Sequence, residues 1–242
     1  NRIPLRDRSV HCVVTSPPYF NQRDYGVEGQ VGLEATPQEY VEKIVGIFRE
    51  VRRVLRDDGV LFLNLGDCYS KKIRQGIPHR VVLALQDDGW LWRDEIVWHK
   101  PGVIPESVND RTTKAHEFVF LLAKSGKYFY DAEAIKEDAA PASAARYAYG
   151  FGGGSKQSDT KVVSENGIDR RTVPLGDREF TGKRNARSVW KLSYQPYKGA
   201  HFACMPPSLA SKLIMAGSSE HGACSSCGAP YRRNITKTKL YR

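Results

Sequence analysis

No apolar run in this sequence approaches the ~18 residues that a membrane-spanning helix needs. Its beginning lacks the charged-then-apolar pattern of a secretory signal. Cysteine is sparse: the five in 242 residues do not form the even set of a disulfide framework. These absences argue against a membrane helix and against a small secreted scaffold. They lead us to expect a protein of the reducing cytoplasm with no membrane partner. A phosphate-cradling loop is also missing, because Gly152-Gly153-Gly154 follows no buried strand and opens no helix. Acidic residues are outnumbered, 27 against 37 basic ones. The first residue is Asn1 rather than Met, and strand signals begin almost at once. The expectation is a fragment, with further residues omitted at junctions such as Ser70-Lys71-Lys72, where a strand-loop sequence passes abruptly into a helix start.

What is present fits a globular α/β chain. Hydrophobic residues make up 40% and charged residues 26%, enough of each for a core and a solvated surface. A net charge of +10 and a pI near 9.4 point to a partner carrying phosphates. Near the start, Val10-His11-Cys12-Val13-Val14 reads as a buried strand, and it stops at Pro17-Pro18. Proline cannot donate to a sheet ladder, and it holds the preceding residue extended. The Ser16 hydroxyl and the Ser16 and Pro17 carbonyls then form a compact group of acceptors. They lie at the carboxyl end of a strand, where open α/β sheets place ligands. A Pro-Pro turn under an aromatic lid is the purely structural alternative.

Strands and helices then alternate. Thr36-Pro37-Gln38-Glu39 is a capping box with Pro at the first helical position. Val41, Ile44, Val45, Phe48, Val51 and Leu55 come next at helical spacing, and Asp57-Asp58-Gly59 is the expected stop. The opposite face carries Glu42, Lys43, Arg49, Glu50 and Arg53, and solvation is its plainer reading. Val60 to Leu65 is an apolar run suited to a strand covered on both faces, ending at Gly66-Asp67. Asp67 reads equally as a ligand contact or as a turn residue capping the next segment. A second helix is expected over Pro78–Asp88, and strands over Trp90–Trp98, Glu117–Leu122 and, at an edge, Lys127–Asp131. The pattern is that of a mainly parallel sheet with a hairpin-like end.

Thr15-Ser16-Pro17-Pro18-Tyr19 resembles the catalytic loop of amino-group DNA methyltransferases, which methylate the exocyclic nitrogen of cytosine or adenine. Leu63-Asn64-Leu65-Gly66-Asp67, Ile96-Val97-Trp98-His99-Lys100-Pro101, Asp110-Arg111 and His116-Glu117 come after it in the order of the family's β-group. The resemblance covers roughly Ile3 to Asp131 and resumes near Arg184. It implies a doubly wound, Rossmann-like fold with an inserted, loop-rich recognition region. It also implies S-adenosylmethionine as cofactor and double-stranded DNA as partner, with a cognate restriction endonuclease and a homodimer as further partner expectations. Residues 1–131 would be the catalytic half, 132–187 a basic target-recognition insert and 188–220 a return to the core. The last stretch, 221–242, would be a CxxC knuckle and tail. Ser16, Pro17, Pro18 and Tyr19 take the catalytic place. Cofactor contacts fall to Thr15, Asp67, His201, Phe202, Pro206 and Leu209, and DNA contacts to Arg23, Lys100, Arg111, Arg184 and Arg187.

Three features outside the loop complete the reading. The insert is rich in glycine and basic residues, as suits a segment that orders on DNA. Leu209, Leu213 and Ile214 lie on one face of a helix ended by Gly217. Cys224 and Cys227 make a CxxC pair, half of a structural zinc site, which needs four ligands. The family's cofactor half also carries a glycine loop and an acid for the ribose hydroxyls, and this sequence shows neither. A serine at position 16 leans toward N4 of cytosine, with N6 of adenine as the alternative. A DNA-binding relative without catalysis, and a methyltransferase of RNA or protein, are the rival classes.

Overall fold

In the computed structural model, which describes residues 2–142, 182–194 and 204–234, the chain divides into two compact units. One comprises residues 1–135 with 187–232, the other 136–186 with 233–242. The described part of the second unit is a short antiparallel pair, β7 (Glu137–Asp138) and β8 (Lys183–Arg184). Lys183 pairs there with Asp138 at 2.5 Å, and Arg184 with Glu137 at 3.5 Å.

The first unit is built on a five-stranded sheet. Its strands are β1 (Val10–Thr15), β2 (Leu55–Leu65), β5 (Leu91–His99), β6 (His116–Ala123) and β9 (Val189–Lys191). They stand in the order β1-β2-β6-β5-β9. Strand β1 runs parallel to β2 and β5 parallel to β9, while β6 is antiparallel to both its neighbours. Four strands therefore point one way and β6 is inserted against them. The sheet is mainly parallel, as the alternating pattern predicts.

Helices cover both faces. Helix α1 (Pro37–Val54) begins where Thr36 Oγ1 accepts the Glu39 N–H at 3.2 Å. In return the Ala35 N–H donates to Glu39 Oε2 at 3.1 Å, one residue earlier than in the standard box. Helix α2 (Ile77–Asp87) lies beside α1. Together Tyr40, Ile44, Phe48, Val81, Val82 and Leu85 cover Leu61, Leu63, Leu65, Phe120 and Leu122. Each such side chain contributes roughly 1.5–3 kcal/mol when fully buried. Because side chains alternate along a strand, Val60 and Phe62 face the other way. There α3 (Pro207–Gly217) closes on them. A Cβ on Gly217 would stand 2.6 Å from Cys12 Sγ and 2.8 Å from both Phe62 and Val60. Three of the four basic residues of α1 pair with acids, Lys43 with Glu34, Arg49 with Asp88, and Arg53 with Glu50 and Asp7, while Arg52 reaches the Gly89 carbonyl. No helix among the described residues is long and apolar enough to cross a membrane.

Four local expectations are corrected. Helix α1 ends at Val54, and Asp57-Asp58-Gly59 belongs to β2, where register with β1 slips between Val10 and Cys12. The backbone freed by that slip is satisfied from outside: Phe129 donates to the Asp58 carbonyl and Lys124 Nζ to that of Leu55. For the same reason Lys127–Asp131 is no edge strand. Its amides make isolated bonds, Asp131 reaching the Ala216 carbonyl, and the sheet's outer strands are β1 and β9. Ser70-Lys71-Lys72 leads into a hairpin of β3 (Tyr69–Ser70) and β4 (Ile73–Arg74), with Lys71 and Lys72 at φ of 48° and 67°, not directly into a helix. In α3 the buried face is Leu209, Leu213, Ala216 and Gly217, while Ile214 is exposed.

Two glycines make opposite demands on the same substitution. Gly46, exposed in the middle of α1, has nothing within 4 Å of an added Cβ. Gly46→Ala is expected to stabilise by about 0.5–1 kcal/mol through lost unfolded-state freedom. Gly217→Ala should destabilise by about 1–3 kcal/mol by overpacking. Urea midpoints of the two variants, moving in opposite directions, check both.

Candidate active site

Strand β1 delivers Thr15 to the carboxyl end of the sheet, beside Leu63, and the chain leaves it extended through Ser16-Pro17-Pro18. The loop is held from below. Tyr40 of α1 donates its hydroxyl to the Pro18 carbonyl at 2.9 Å, and Phe20 is buried against the Tyr40 ring. The Tyr19 ring lies across Gly66, where a Cβ would meet its Cε2 at 2.6 Å. Only a residue without a side chain lets the ring settle there.

The Tyr19 hydroxyl is the centre of a polar network. It lies 3.1 Å from Ser16 Oγ, 2.9 Å from Glu117 Oε2 and 3.2 Å from Asn64 Oδ1. Asn64 Nδ2 donates to Glu117 Oε2 at 3.2 Å and to the Phe118 carbonyl at 3.0 Å. The other Glu117 oxygen pairs with Lys100, whose ammonium stands 4.2 Å from the centre of the Trp98 ring. Burial, and next the charge of Glu117, hold the Tyr19 phenol well above its ordinary pKa, so it remains a donor. Trp98 and Glu117 are cross-strand partners on β5 and β6, and the Trp98 indole N–H donates to the Leu192 carbonyl at 2.9 Å.

These groups line a cavity of about 460 Å³, within the range of small-ligand sites. It opens where β1, β2 and β5 end and β6 begins. Gln22, Arg23 and Tyr25 line it after the Pro-Pro loop, Tyr194 after β9, and Cys204 and Met205 before α3. Of the residues expected from sequence, Ser16, Pro17, Pro18, Tyr19, Arg23 and Lys100 therefore meet in one cavity. Sequence reasoning did not place Asn64, Trp98, Glu117 or Tyr194 among the site residues. One signal was readable: Asn64 is a polar residue within an otherwise apolar run, and it is almost fully buried at 2% exposure.

The other expected residues have different settings. The Asp67 carboxylate accepts the N–H groups of Cys68, Gly76 and Ile77 and pairs with Arg74 at 2.6 Å. It thus caps the start of α2, where negative charge is favoured. Pro206 is buried, and its carbonyl accepts the first amides of α3, while Leu209 is fully buried in the core. His201 and Phe202 lie outside the described residues. Arg111 pairs with Glu106 and stands 4.1 Å over the Tyr69 ring. Arg184 sits on β8, and Arg187 is exposed just before β9.

Cys224 and Cys227 form a knuckle closed by the Gly228 N–H to the Cys224 carbonyl at 2.8 Å. The His11 ring reaches the Gly228 carbonyl at 2.8 Å. The described residues hold no cluster of three or more metal-ligating side chains, so this pair stands as two ligands. Backbone N–H groups of Cys227 and Ser226 bond the Cys224 sulfur and lower its pKa. Burial pushes the Cys12 thiol up to about 12. The thiolate is the reactive form. At pH 8 iodoacetamide should therefore label Cys224 well ahead of Cys12, whose labelling should rise only as pH approaches 12. Mass spectrometry of the labelled native protein checks the order; equal rates would contradict it.

Comparison with known proteins agrees with this architecture. The N6/N4 methyltransferase family model, described as DNA methylase, matches residues 10–224. Type II methyltransferase M.XycI of Xanthomonas campestris pv. cyanopsidis is 40% identical over 241 residues, 88% of this chain and 67% of that protein. Type II methyltransferase M.SmaI of Serratia marcescens is 38% identical over 240 residues, 87% of this chain and 70% of that protein. The chain thus spans about two thirds of the length of these relatives. Among solved structures, the PvuII DNA methyltransferase (cytosine-N4-specific) superposes with a TM-score of 0.59 at 18% identity, over 89% of this chain and 66% of that one, a likeness of fold. With a family model spanning most of the chain, and with relatives similar over most of its length, the protein belongs to the N6/N4 amino-group DNA methylase family.

Proposed function

We propose that the chain carries the target-base side of an enzyme that transfers a methyl group from S-adenosylmethionine to the exocyclic amino group of a base flipped out of duplex DNA. N4 of cytosine is the proposed acceptor atom. The enzyme acts as a Type II modification methyltransferase beside a restriction endonuclease of the same sequence. The observation that carries the reading is Ser16 Oγ at the cavity mouth, its hydroxyl 3.1 Å from that of Tyr19 and the Pro17 carbonyl next in the chain.

An exocyclic amino nitrogen is a poor nucleophile because its lone pair is delocalised into the ring. Two acceptors that bind both of its hydrogens favour a pyramidal nitrogen and return the lone pair to it. Ser16 Oγ and the Pro17 carbonyl are the proposed acceptors. The base must leave the duplex to reach them, which costs a few kcal/mol. Stacking at ~1–3 kcal/mol per base offsets that cost. Tyr25 and Tyr194, exposed rings of the cavity lining, are suited to stacking, whereas the Tyr19 hydroxyl is held in the network. No cysteine nucleophile is needed, and Cys12 is packed against α3.

S-adenosylmethionine supplies an electrophilic methyl sulfonium. Of the described residues expected to hold it, Asp67 is committed to α2, Leu209 to the core and the Pro206 carbonyl to α3, while Thr15 closes β1 beside the Pro-Pro loop. No cofactor contact is therefore assigned to the first three. Positive charge suits binding along the phosphate backbone, which is salt-dependent and independent of sequence.

Labelled methyl transfer by the full-length protein to duplex DNA, RNA and protein in parallel tests the reading. Nucleoside digestion and mass spectrometry should find N4-methylcytosine in the DNA arm. N6-methyladenine there would move the acceptor to adenine, and absence of both S-adenosylmethionine binding and transfer would remove the enzyme reading. Ser16→Ala is expected to cut transfer by about 100-fold or more, the scale of losing one preorganised group at a reacting atom. Nonspecific DNA affinity of this variant should stay within about twofold, because phosphate contacts dominate it.

A further inference from the structure

Hydrogen-bond direction in the network around Tyr19 is fixed by chemistry. Asn64 Nδ2 faces the Phe118 carbonyl and Glu117 Oε2, both acceptors, so its amide oxygen must point at Tyr19. The Tyr19 hydroxyl therefore meets two acceptors, Asn64 Oδ1 at 3.2 Å and Glu117 Oε2 at 2.9 Å. A phenol has one proton. That proton goes to one of the two, and the Tyr19 oxygen is left to accept. Its third neighbour, Ser16 Oγ at 3.1 Å, must then be the donor. A serine hydroxyl also has a single proton. With it directed to Tyr19, the exposed side of Ser16 Oγ presents lone pairs alone to the cavity.

We propose that Glu117 and Asn64, acting through Tyr19, make Ser16 an obligatory hydrogen-bond acceptor, so that the site selects its base by an amino group and rejects the keto analogue. This rests on the proposed function and names what that site discriminates: cytosine from uracil, or adenine from hypoxanthine. An amino group donates to Ser16 with the network undisturbed. A keto oxygen meets lone pairs, and Ser16 can turn to donate to it only by withdrawing its proton from the Tyr19 oxygen. Lys100, paired with the other Glu117 oxygen, keeps the carboxylate facing inward. Glu117 and Asn64 are positioning residues, since both reach Ser16 only through the Tyr19 hydroxyl.

The test uses the full-length protein and duplexes carrying cytosine or uracil at the position that methylation mapping identifies, or adenine or hypoxanthine if the mapped base is adenine. The readout is the ratio of the two affinities. The wild type should prefer the amino base by about tenfold or more, the scale of one lost hydrogen bond. Glu117→Gln gives Tyr19 a side chain that can donate, and Tyr19→Phe removes the phenol. In each the ratio should fall about fivefold or more from the wild-type value, to the preference that the Pro17 carbonyl alone supports, and the double variant should fall no further. General damage to the site lowers both affinities and leaves the ratio unchanged. An unchanged ratio in both folded variants, checked by thermal melting, overturns the proposal, as does a wild type that binds both bases equally. If Glu117→Gln fails to fold, Tyr19→Phe, which keeps the Lys100 pair, decides alone. A wild type that methylates neither base fails the proposed function, whereas one that methylates without discriminating fails only this inference.

Discussion

Strand β2 is apolar from Val60 to Leu65 except at Asn64, and both of its faces are covered by helices. Burial on that scale fixes the strand in position and register, and the site inherits the precision. Asn64 is placed by the same packing that holds Leu63 and Leu65, and Gly66 comes next as the shelf for the Tyr19 ring. A buried amide is costly unless each of its groups is bonded. Asn64 meets that demand with partners that belong to the site. The polar network is thus a condition of stability as well as a feature of function.

Charge in this unit is handled locally rather than displayed. Acids of α1 and its neighbours pair with Lys43, Arg49 and Arg53 of that helix, and Arg111 is held by Glu106 and the Tyr69 ring. Exposed ion pairs of this kind contribute at most about 1 kcal/mol each. The basic residues of 143–181 lie outside the described residues, and Arg23, on the cavity wall, is a described cation at the site itself.

The sheet, its mainly parallel sense and the Pro-Pro loop at its carboxyl end were legible because each has a local cause. A continuous apolar run marks a strand covered twice, a capping box marks a helix start, and proline marks where a ladder must stop. What escaped has causes distant in sequence. The helix stop at Asp57-Asp58-Gly59 looked sound locally, but pairing with β1 and bonds from Lys124 and Phe129 draw those residues into a strand. Lys127–Asp131 has strand composition, yet its amides bond singly to the Asp58 and Ala216 carbonyls, and the sheet's edges are β1 and β9. Asp67 was evenly balanced between ligand and cap, and the nearness of the Gly76 and Ile77 amides at the start of α2 decides for the cap. Glu117 stood in view within a family-like block, but its contacts with Tyr19, Asn64 and Lys100 are tertiary.

Strand β6 runs against its four companions, and this reversal has a chemical consequence. In a wholly parallel sheet, the ligand end collects only residues that close a strand. An antiparallel insertion brings the opening residue of a strand to the same rim, so an acid at the start of β6 can meet an amide at the end of β2. The polarity of one strand thereby decides which stretches of chain can share a reaction centre. A one-residue slip of β6 would replace Glu117 by a neighbour of opposite facing. Sheet register in this protein is therefore also a setting of its chemistry.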